Sequence, residues 1–205
     1  MSTKPKPSRP YRMERRRQLW EATGERLLAA GWDDFSTRPY EDVRLSDIAQ
    51  AAGVTVQTLH TRFGTKEEFF AAVFRWWVAH ERIRRDAARP GDIEDAVAVV
   101  FDHYERYGRA VLRMIDQEDR IPAVREHTDF GRAYHREWVG TVFEPMLGAV
   151  RAKARADLHE QLIVVTDVFV WRLLRLDIGH SRPDAQRIVV GMISALTAAG
   201  PGETP

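Results

Sequence analysis

Cysteine is absent from the 205 residues, which excludes disulfide bridges, thiolate metal sites and cysteine nucleophiles. Long apolar runs are missing too, since the longest, Ala96–Phe101, is far too short to span a bilayer. No HExxH, GxSxG or glycine-rich phosphate loop is present, and the seven histidines offer no short ligand pair. The sequence therefore predicts a cytoplasmic protein with no catalytic residues, no metal site and no cofactor.

Charge is distributed unevenly along the chain, although the net charge is only +1. Residues 1–66 carry twelve Lys and Arg against eight Asp and Glu, a balance of +4, and the remainder carries nineteen against twenty-two, a balance of −3. An overall content of 44% hydrophobic and 30% charged residues is typical of a globular protein. The excess positive charge on the first third favours binding to an anionic polymer there.

Two short amphipathic helices are predicted on either side of Gly53, a residue that tolerates a left-handed turn. Thr55 follows as an N-cap for the second helix, Val56–Phe63. This spacing predicts a helix-turn-helix, although an ordinary helical corner in an all-α protein would show it as well. The apolar positions at helical spacing are Ile48, Ala49, Ala52, Val54, Leu59 and Phe63.

The stretch DIAQAAGVTVQTLHTRFGTKEEFFAAVF resembles the DNA-binding segment of TetR-family transcriptional regulators. The resemblance implies an all-α fold, with an N-terminal three-helix DNA-binding head and a C-terminal helical bundle for ligand binding and dimerisation. It also implies a repressor that binds a palindromic operator as a homodimer and is released by a small-molecule effector. The positions that carry the resemblance are Ile48, Ala49, Ala52, Gly53, Val54, Thr55, Thr58, Leu59, Phe63, Lys66, Glu67 and Glu68.

Three residues depart from the family pattern. Arg44 stands where the family caps the first helix of the pair with Thr, so Ser46 is expected to act as the cap. Gln57 replaces a small residue and His60 replaces a Tyr; the amide of Gln57 could read a base edge. The outward face of the second helix is expected to include Arg62. The predicted contacts to double-stranded DNA are Arg44, Thr55, Val56, Gln57, Thr58, His60, Thr61 and Lys66.

The chain is expected to divide into three parts. Residues 1–10 contain three prolines and are predicted to be a disordered basic arm, either a DNA contact or a solubilising tail. Residues 11–65 form the predicted DNA-binding domain, and residues 66–200 the predicted effector-binding and dimerisation domain. The remaining predicted features are a first helix Tyr11–Ala30 ended by Gly31, a capping box Thr65–Glu68, a fourth helix to Arg85 that acts as a lever, helices Asp92–Tyr107 and Arg109–Ile115 separated at Gly108, a turn at Pro122, a helical stretch His127–Arg155 with bends at Gly131, Gly140 and Pro145, a helix Leu158–Ile178, and a last helix restarted by Ser181 and Pro183.

The last two predicted helices carry more apolar surface than one partner could cover, which favours a four-helix dimer interface. Burial inside one large monomeric bundle is the alternative. DNA geometry favours the dimer, because two recognition helices must reach successive major grooves. The dimer-interface candidates are Leu162, Val165, Phe169, Leu173, Ile188, Met192 and Leu196.

Aromatic residues are frequent in the second part of the chain and could enclose an apolar or aromatic small-molecule effector. For any single one of them, ordinary core packing is the alternative. An all-α enzyme or carrier that does not bind DNA is the competing function, and it would need a catalytic constellation that the sequence lacks. The effector-pocket candidates are Trp77, His80, Phe101, Tyr104, Tyr107, Met114, His127, Tyr134, Trp138 and Trp171.

Overall fold

The computed structural model describes residues 9–198, in which every regular element is helical, so the predicted all-α class is confirmed. Residues 1–8 of the predicted arm lie outside the described residues. Two compact units divide between Trp77 and Val78. The helices are α1 (Arg9–Thr37), α2 (Leu45–Ala51), α3 (Val56–Phe63), α4 (Lys66–Arg85), α5 (Ile93–Ile115), α6 (Pro122–Val142), α7 (Glu144–Leu147), α8 (Ala152–Val165), α9 (Val168–Arg172) and α10 (Arg182–Ala198).

Helix α1 does not end at Gly31 as predicted but continues to Thr37. A Cβ placed on Gly31 would lie 2.6 Å from Cγ2 of Val73 and 2.8 Å from Cζ of Phe69. The glycine therefore lets the start of α4 approach α1 closely. Its role is close packing, which a sequence pattern cannot distinguish from a helix end.

The first unit is held together by aromatic packing around the helix-turn-helix. Phe35 meets Phe70 edge to face with ring centroids 4.9 Å apart, and Tyr40 meets Phe70 at 5.2 Å. Ile48 of α2 and Leu59 of α3 are fully buried. Edge-to-face pairs add stability beyond the area they bury, so α2 and α3 are supported by a rigid base.

The capping box at the start of α4 forms as predicted. The backbone amide of Thr65 donates to Oε2 of Glu68 at 2.7 Å, and the amide of Glu68 donates to Oγ1 of Thr65 at 3.2 Å. Each side chain thus satisfies an amide that the helix end leaves without a partner. The sequence located this helix start to the residue.

In the second unit, the predicted break at Gly108 is wrong, since α5 is continuous from Ile93 to Ile115. A Cβ on Gly108 would lie 2.5 Å from Cζ3 of Trp171, whose indole N–H donates to Oε1 of Glu105 at 3.1 Å. The glycine makes room for an indole ring that is buried and anchored. It does not interrupt the helix.

Replacing Gly108 by Ala is expected to destabilise the protein by about 1–3 kcal/mol, because the buried indole of Trp171 cannot yield to the new methyl group. The helix propensity of Ala offsets only about 1 kcal/mol of this cost. Urea unfolding followed by tryptophan fluorescence measures the difference. Gly131→Ala is the matched control, since its Cβ would meet no atom within 4 Å, and an equal or larger loss in that control would contradict the packing argument.

The predicted helical stretch from His127 to Arg155 is divided differently in the structure. Helix α6 begins at Pro122, where a proline needs no N–H partner, and continues through Gly131 and Gly140 without a break. It ends before Phe143, a fully buried residue. The predicted bend at Pro145 corresponds to a break in the helix, because α6 ends at Val142 and the short helix α7 starts at Glu144 with Pro145 in its first turn. Helix α8 follows.

The predicted helix Leu158–Ile178 is interrupted at Thr166 and Asp167. The hydroxyl of Thr166 donates to the carbonyl of Leu162 at 2.7 Å, and the Asp167 carboxylate caps α9 by accepting from the amide of Phe169 at 2.9 Å. Both side chains compete with the helical backbone for hydrogen bonds.

Helix α9 then widens into a π-helical segment, Leu173–Asp177, in which the amide of Ile178 donates to the carbonyl of Leu173 at 2.9 Å. The last helix restarts as predicted. The hydroxyl of Ser181 accepts from the amide of Asp184 at 3.3 Å and caps α10. Among the described residues, no helix is both long and apolar enough to cross a membrane.

Candidate nucleic-acid interface

Helix α3 presents a polar face that is free of the core. Gln57, His60 and Thr61 are exposed, and Val56 is exposed beside them, whereas Leu59 on the opposite side is fully buried. The helix begins after Thr55, whose hydroxyl accepts from the amide of Thr58 at 3.2 Å, as predicted. Eight residues on a capped, core-anchored helix match what a major groove admits.

Local hydrogen bonds fix the side chains of this face. The hydroxyls of Thr55 and Thr58 lie 2.9 Å apart, and the hydroxyl of Thr61 donates to the carbonyl of Gln57 at 2.8 Å. Nδ1 of His60 lies 2.8 Å from the carbonyl oxygen of Gly64, and it donates to that oxygen in the tautomer that carries the hydrogen on Nδ1. A neutral His60 in that tautomer keeps Nε2 as an acceptor.

Arg62 does not face outward, and the expectation that it would is wrong. Its Nη1 donates to the carbonyl of Trp20 at 2.6 Å, and its guanidinium carbon lies 4.7 Å from the Trp20 ring. The guanidinium also fills the space where a Cβ on Gly24 would lie. Arg62 thus ties α3 to α1 and helps to set the orientation of the recognition helix.

The start of α2 also differs from the prediction. The helix begins at Leu45, directly after Arg44, which is extended and forms no side-chain cap. Ser46 lies inside the first turn and its hydroxyl donates to Oδ1 of Asp47 at 3.1 Å, so it does not act as the cap. The exposed guanidinium of Arg44 stays available to a phosphate.

Lys66 has its ammonium group directed to the protein. Nζ donates to the carbonyl of Tyr40 at 2.6 Å and lies 4.5 Å from the Tyr40 ring, while the Tyr40 hydroxyl donates to Oε1 of Glu67 at 3.1 Å. Burial lowers the pKa of the Lys66 ammonium, and burial raises the pKa of the Tyr40 hydroxyl. A phosphate contact by Lys66 remains a prediction. In the structure its ammonium group already donates to the carbonyl of Tyr40, in the turn that precedes α2.

Half of the ten predicted effector residues belong to the packed interior. Trp77 falls in the first unit, and His80 is exposed. The Trp138 indole donates to the carbonyl of Arg85 at 2.9 Å. The second unit's candidates that are buried in its interior are Phe101, Tyr104, Met114, Trp138 and Trp171.

A cavity of about 280 Å³ does exist in the second unit, and none of the ten predicted residues lines it. The aromatic content of the sequence does not predict this cavity, because most of the residues that line it are charged. The lining residues are Glu81, Arg84, Arg85, Ala98, Val99, Asp102, His103 and Arg182. No group of three or more His, Asp or Glu that could hold a metal ion occurs in the described part of the chain.

The seven dimer-interface candidates differ in how much of each residue is exposed to solvent. Leu162 and Val165 are buried within the chain's own core, so their assignment to an interface is corrected. Phe169 and Leu173 are 51% and 50% exposed, and Met192 is 41% exposed. Ile188 and Leu196 are half-buried. We call Phe169, Leu173 and Met192 the exposed apolar face.

Comparison with known proteins agrees with this geometry. Residues 27–73 match the family model of the bacterial regulatory proteins of the tetR family, a span that includes α2 and α3. No curated protein matches the chain closely enough to count as a relative.

Three solved structures share the fold. A transcriptional regulator from Rhodococcus sp. Rha1 is 20% identical, with 84% of this chain and 96% of that chain covered and a TM-score of 0.64. A structure assigned to the TetR family, from Rhodococcus sp., is 14% identical, with 86% and 99% covered and a TM-score of 0.63. A third, from Streptomyces coelicolor A3(2), is 22% identical, with 86% and 99% covered and a TM-score of 0.58. The family match therefore covers the helix-turn-helix segment, and the three solved structures show that the fold of most of the chain is that of known transcriptional regulators.

Proposed function

We propose that the protein is a repressor that binds a palindromic operator as a homodimer and leaves the DNA when a small molecule binds its second unit. The exposed polar face of α3 carries this proposal. It is held by the Thr55 cap and by the Arg62 bond to α1, so its side chains reach a groove in a fixed orientation. Fixed donors and acceptors lose little entropy on binding.

Base reading is assigned to Gln57, with Val56 beside it. A side-chain amide can bond an adenine edge with two hydrogen bonds, and an apolar side chain can contact a thymine methyl group. Arg44, Thr55 and Thr58 are assigned to phosphates, which fix the register of the protein on the duplex.

Dimerisation is inferred from the exposed apolar face. Phe169 and Leu173 lie four residues apart, and the segment that begins at Leu173 packs against α10, the helix that carries Met192. We infer that these exposed side chains form one apolar patch, which is typical of an interface. A symmetric dimer would present two copies of α3 to two half-sites of a palindrome.

Release by an effector requires the ligand to bind one conformation of the protein more tightly than the other. Helix α4 contains residues of both units, since it runs from Lys66 to Arg85 across the division at Trp77. We infer that a ligand in the second unit acts on DNA binding through this helix. The coupling is reciprocal, so operator DNA should weaken ligand binding by the same factor.

Replacing Gln57 by Ala is expected to weaken binding to the specific operator about tenfold to a hundredfold, because a bidentate base contact contributes about 1–3 kcal/mol of discrimination. Binding to unrelated DNA should not change, since phosphate contacts are unaffected. Fluorescence anisotropy at one fixed salt concentration, with operator and random duplexes, measures both affinities.

Gln50→Ala is the matched control, because it removes an exposed amide from α2 and leaves α3 intact. An equal loss on operator and random DNA for Gln57→Ala would show that this amide does not read a base. Absence of any specific site in the DNA that flanks the protein's own gene would contradict the proposed function itself.

A further inference from the structure

A buried arginine stands beside the cavity of the second unit. Arg85 is only 5% exposed and belongs to the cavity lining. Its guanidinium carbon lies 4.8 Å from the ring of Trp138 and 5.3 Å from the ring of Tyr134. Its Nη2 donates to Nδ1 of His135, and its Nε–H has no hydrogen-bond partner.

The side chain that accepts a hydrogen bond from Arg85 carries no charge. Nε2 of His135 lies 3.1 Å from the hydroxyl of Thr166, which itself donates to the carbonyl of Leu162. His135 therefore donates from Nε2 and accepts from Arg85 at Nδ1, as a neutral imidazole must. Burial, and then the nearby Arg85 charge, lower the pKa of His135 to about 3. The buried guanidinium thus has an uncharged partner.

The two carboxylates that line the cavity are engaged with other arginines, and the carboxylate of Asp167, which interacts electrostatically with Arg85, caps α9. Glu81 accepts from the hydroxyl of Tyr107 at 2.9 Å and pairs with Arg84 at 3.4 Å. Asp102 pairs with Arg106 at 2.7 Å and with Arg182 at 3.6 Å. Among the residues that the structure describes, no carboxylate lies within salt-bridge distance of Arg85.

A buried cation without a counter-charge is costly, because several kcal/mol are lost when an ion leaves water. Aromatic rings recover part of this cost, about 2 kcal/mol at a desolvated site. An anion in the adjoining cavity would recover more through charge-assisted hydrogen bonds. The described part of the protein therefore provides no anion in direct contact with the buried charge of Arg85.

We propose that this cavity binds a small organic monocarboxylate, with its carboxylate at Arg85 and Arg182 and its apolar part against Ala98 and Val99. A single negative charge fits, because one buried positive charge lacks a partner and the carboxylates of Glu81 and Asp102 would repel a polyanion. The volume also fits a small molecule, since a cavity of about 150 Å³ already holds benzene. This inference rests on the proposed function, in which the same molecule is the effector.

Titration calorimetry of the intact protein tests the site with benzoate and 3-phenylpropionate, each paired with its neutral amide. Both carboxylates are expected to bind, and each amide about tenfold more weakly, because the amide lacks the charge that Arg85 requires. Arg182→Gln should weaken carboxylate binding about tenfold. Asp102→Asn should tighten it, because a repelling carboxylate is removed.

Arg187→Gln is the matched control, since Arg187 lies on the same helix as Arg182, is exposed and pairs with Asp184 away from the cavity. It should leave the affinity unchanged. Arg85→Met should abolish discrimination between acid and amide. Because that variant removes a buried group and can fail to fold, circular dichroism accompanies it and the Arg182 variant stands independently.

Failure to bind either carboxylate at about 10 mM would overturn the proposal. Equal binding of acid and amide, or an affinity insensitive to Arg182→Gln in a folded protein, would overturn it as well. Anisotropy with operator DNA separates the two proposals. Carboxylate binding without release of DNA supports the site and contradicts the effector role, whereas absence of operator binding in ligand-free protein contradicts the proposed repressor and leaves the calorimetric result standing.

Discussion

If the protein is the proposed homodimer, Phe169→Asp is expected to convert it into monomers and to weaken operator binding by at least about a hundredfold. Phe169 is half exposed in the single chain and belongs to the exposed apolar face, so a dimer would bury the new carboxylate without a counter-charge. Loss of the dimer also removes the effective concentration that links two half-sites, a factor of about 10² to 10⁴.

Light scattering after size exclusion measures the oligomeric state, and anisotropy with a palindromic duplex measures the affinity. The matched control is Ile83→Asp, which places the same charge at another exposed apolar position, on α4. The control should remain dimeric. A monomeric wild-type protein, or a Phe169 variant that stays dimeric with full operator affinity, would contradict the proposed interface.

Acid is expected to destabilise the second unit strongly, because burial lowers the pKa of three of its histidines, His103, His127 and His135. Burial lowers the pKa of His127 to about 4, and burial together with Arg85 lowers that of His135 to about 3. The unfolded chain takes up all three protons near pH 6.5. Between pH 6.5 and these lower values the unfolded state binds more protons, so stability falls as the pH falls. At pH 4 the loss is about 3 kcal/mol each for His127 and His135.

Urea unfolding at pH 7, 5.5 and 4.5 measures this dependence, and the useful quantity is the change with pH rather than the stability at any one pH. His127→Asn and His135→Asn should each flatten the curve, because the amide does not titrate. His80→Asn is the matched control at an exposed position. Equal pH dependence in all four proteins would show that other groups, not His127 and His135, control the acid response.

The helix-turn-helix was predictable because its signals are local. Thr55 and the pair Thr65 and Glu68 cap helices with atoms only three residues away, and the structure places both helix starts where the sequence does. The start of α2 was not predictable in the same way, because Arg44 offers no cap and the helix begins without one.

The roles of two glycines differ from the prediction, because the side chains that pack against them are distant in sequence. Gly108 and Gly31 look like helix ends in a linear pattern, yet each makes room for a side chain 63 and 42 residues away, Trp171 and Val73 respectively. Only the folded chain reveals those neighbours.

The cavity escaped prediction for a related reason. A charged residue such as Arg85 normally lies on the surface, and nothing in its sequence neighbourhood shows that Trp138 and Tyr134 will enclose it. Of the aromatic residues predicted to line a pocket, several form the core, and two, Tyr134 and Trp138, enclose the cation. The chemistry of the site depends on tertiary packing that residue type alone does not specify.

The π-helical segment Leu173–Asp177 aligns Ile178, a further exposed apolar residue, with Phe169 and Leu173 of the exposed apolar face, and this alignment depends on the number of residues in the segment. Phe169, Leu173 and Ile178 are separated by four and then five residues, and all three are half exposed, because the wider turn keeps Ile178 in the same row as the other two. Deletion of one residue within this segment would restore an ordinary helical turn and rotate everything after it by about 100°. A single-codon deletion there would move Ile178 out of that row without altering any of the three side chains.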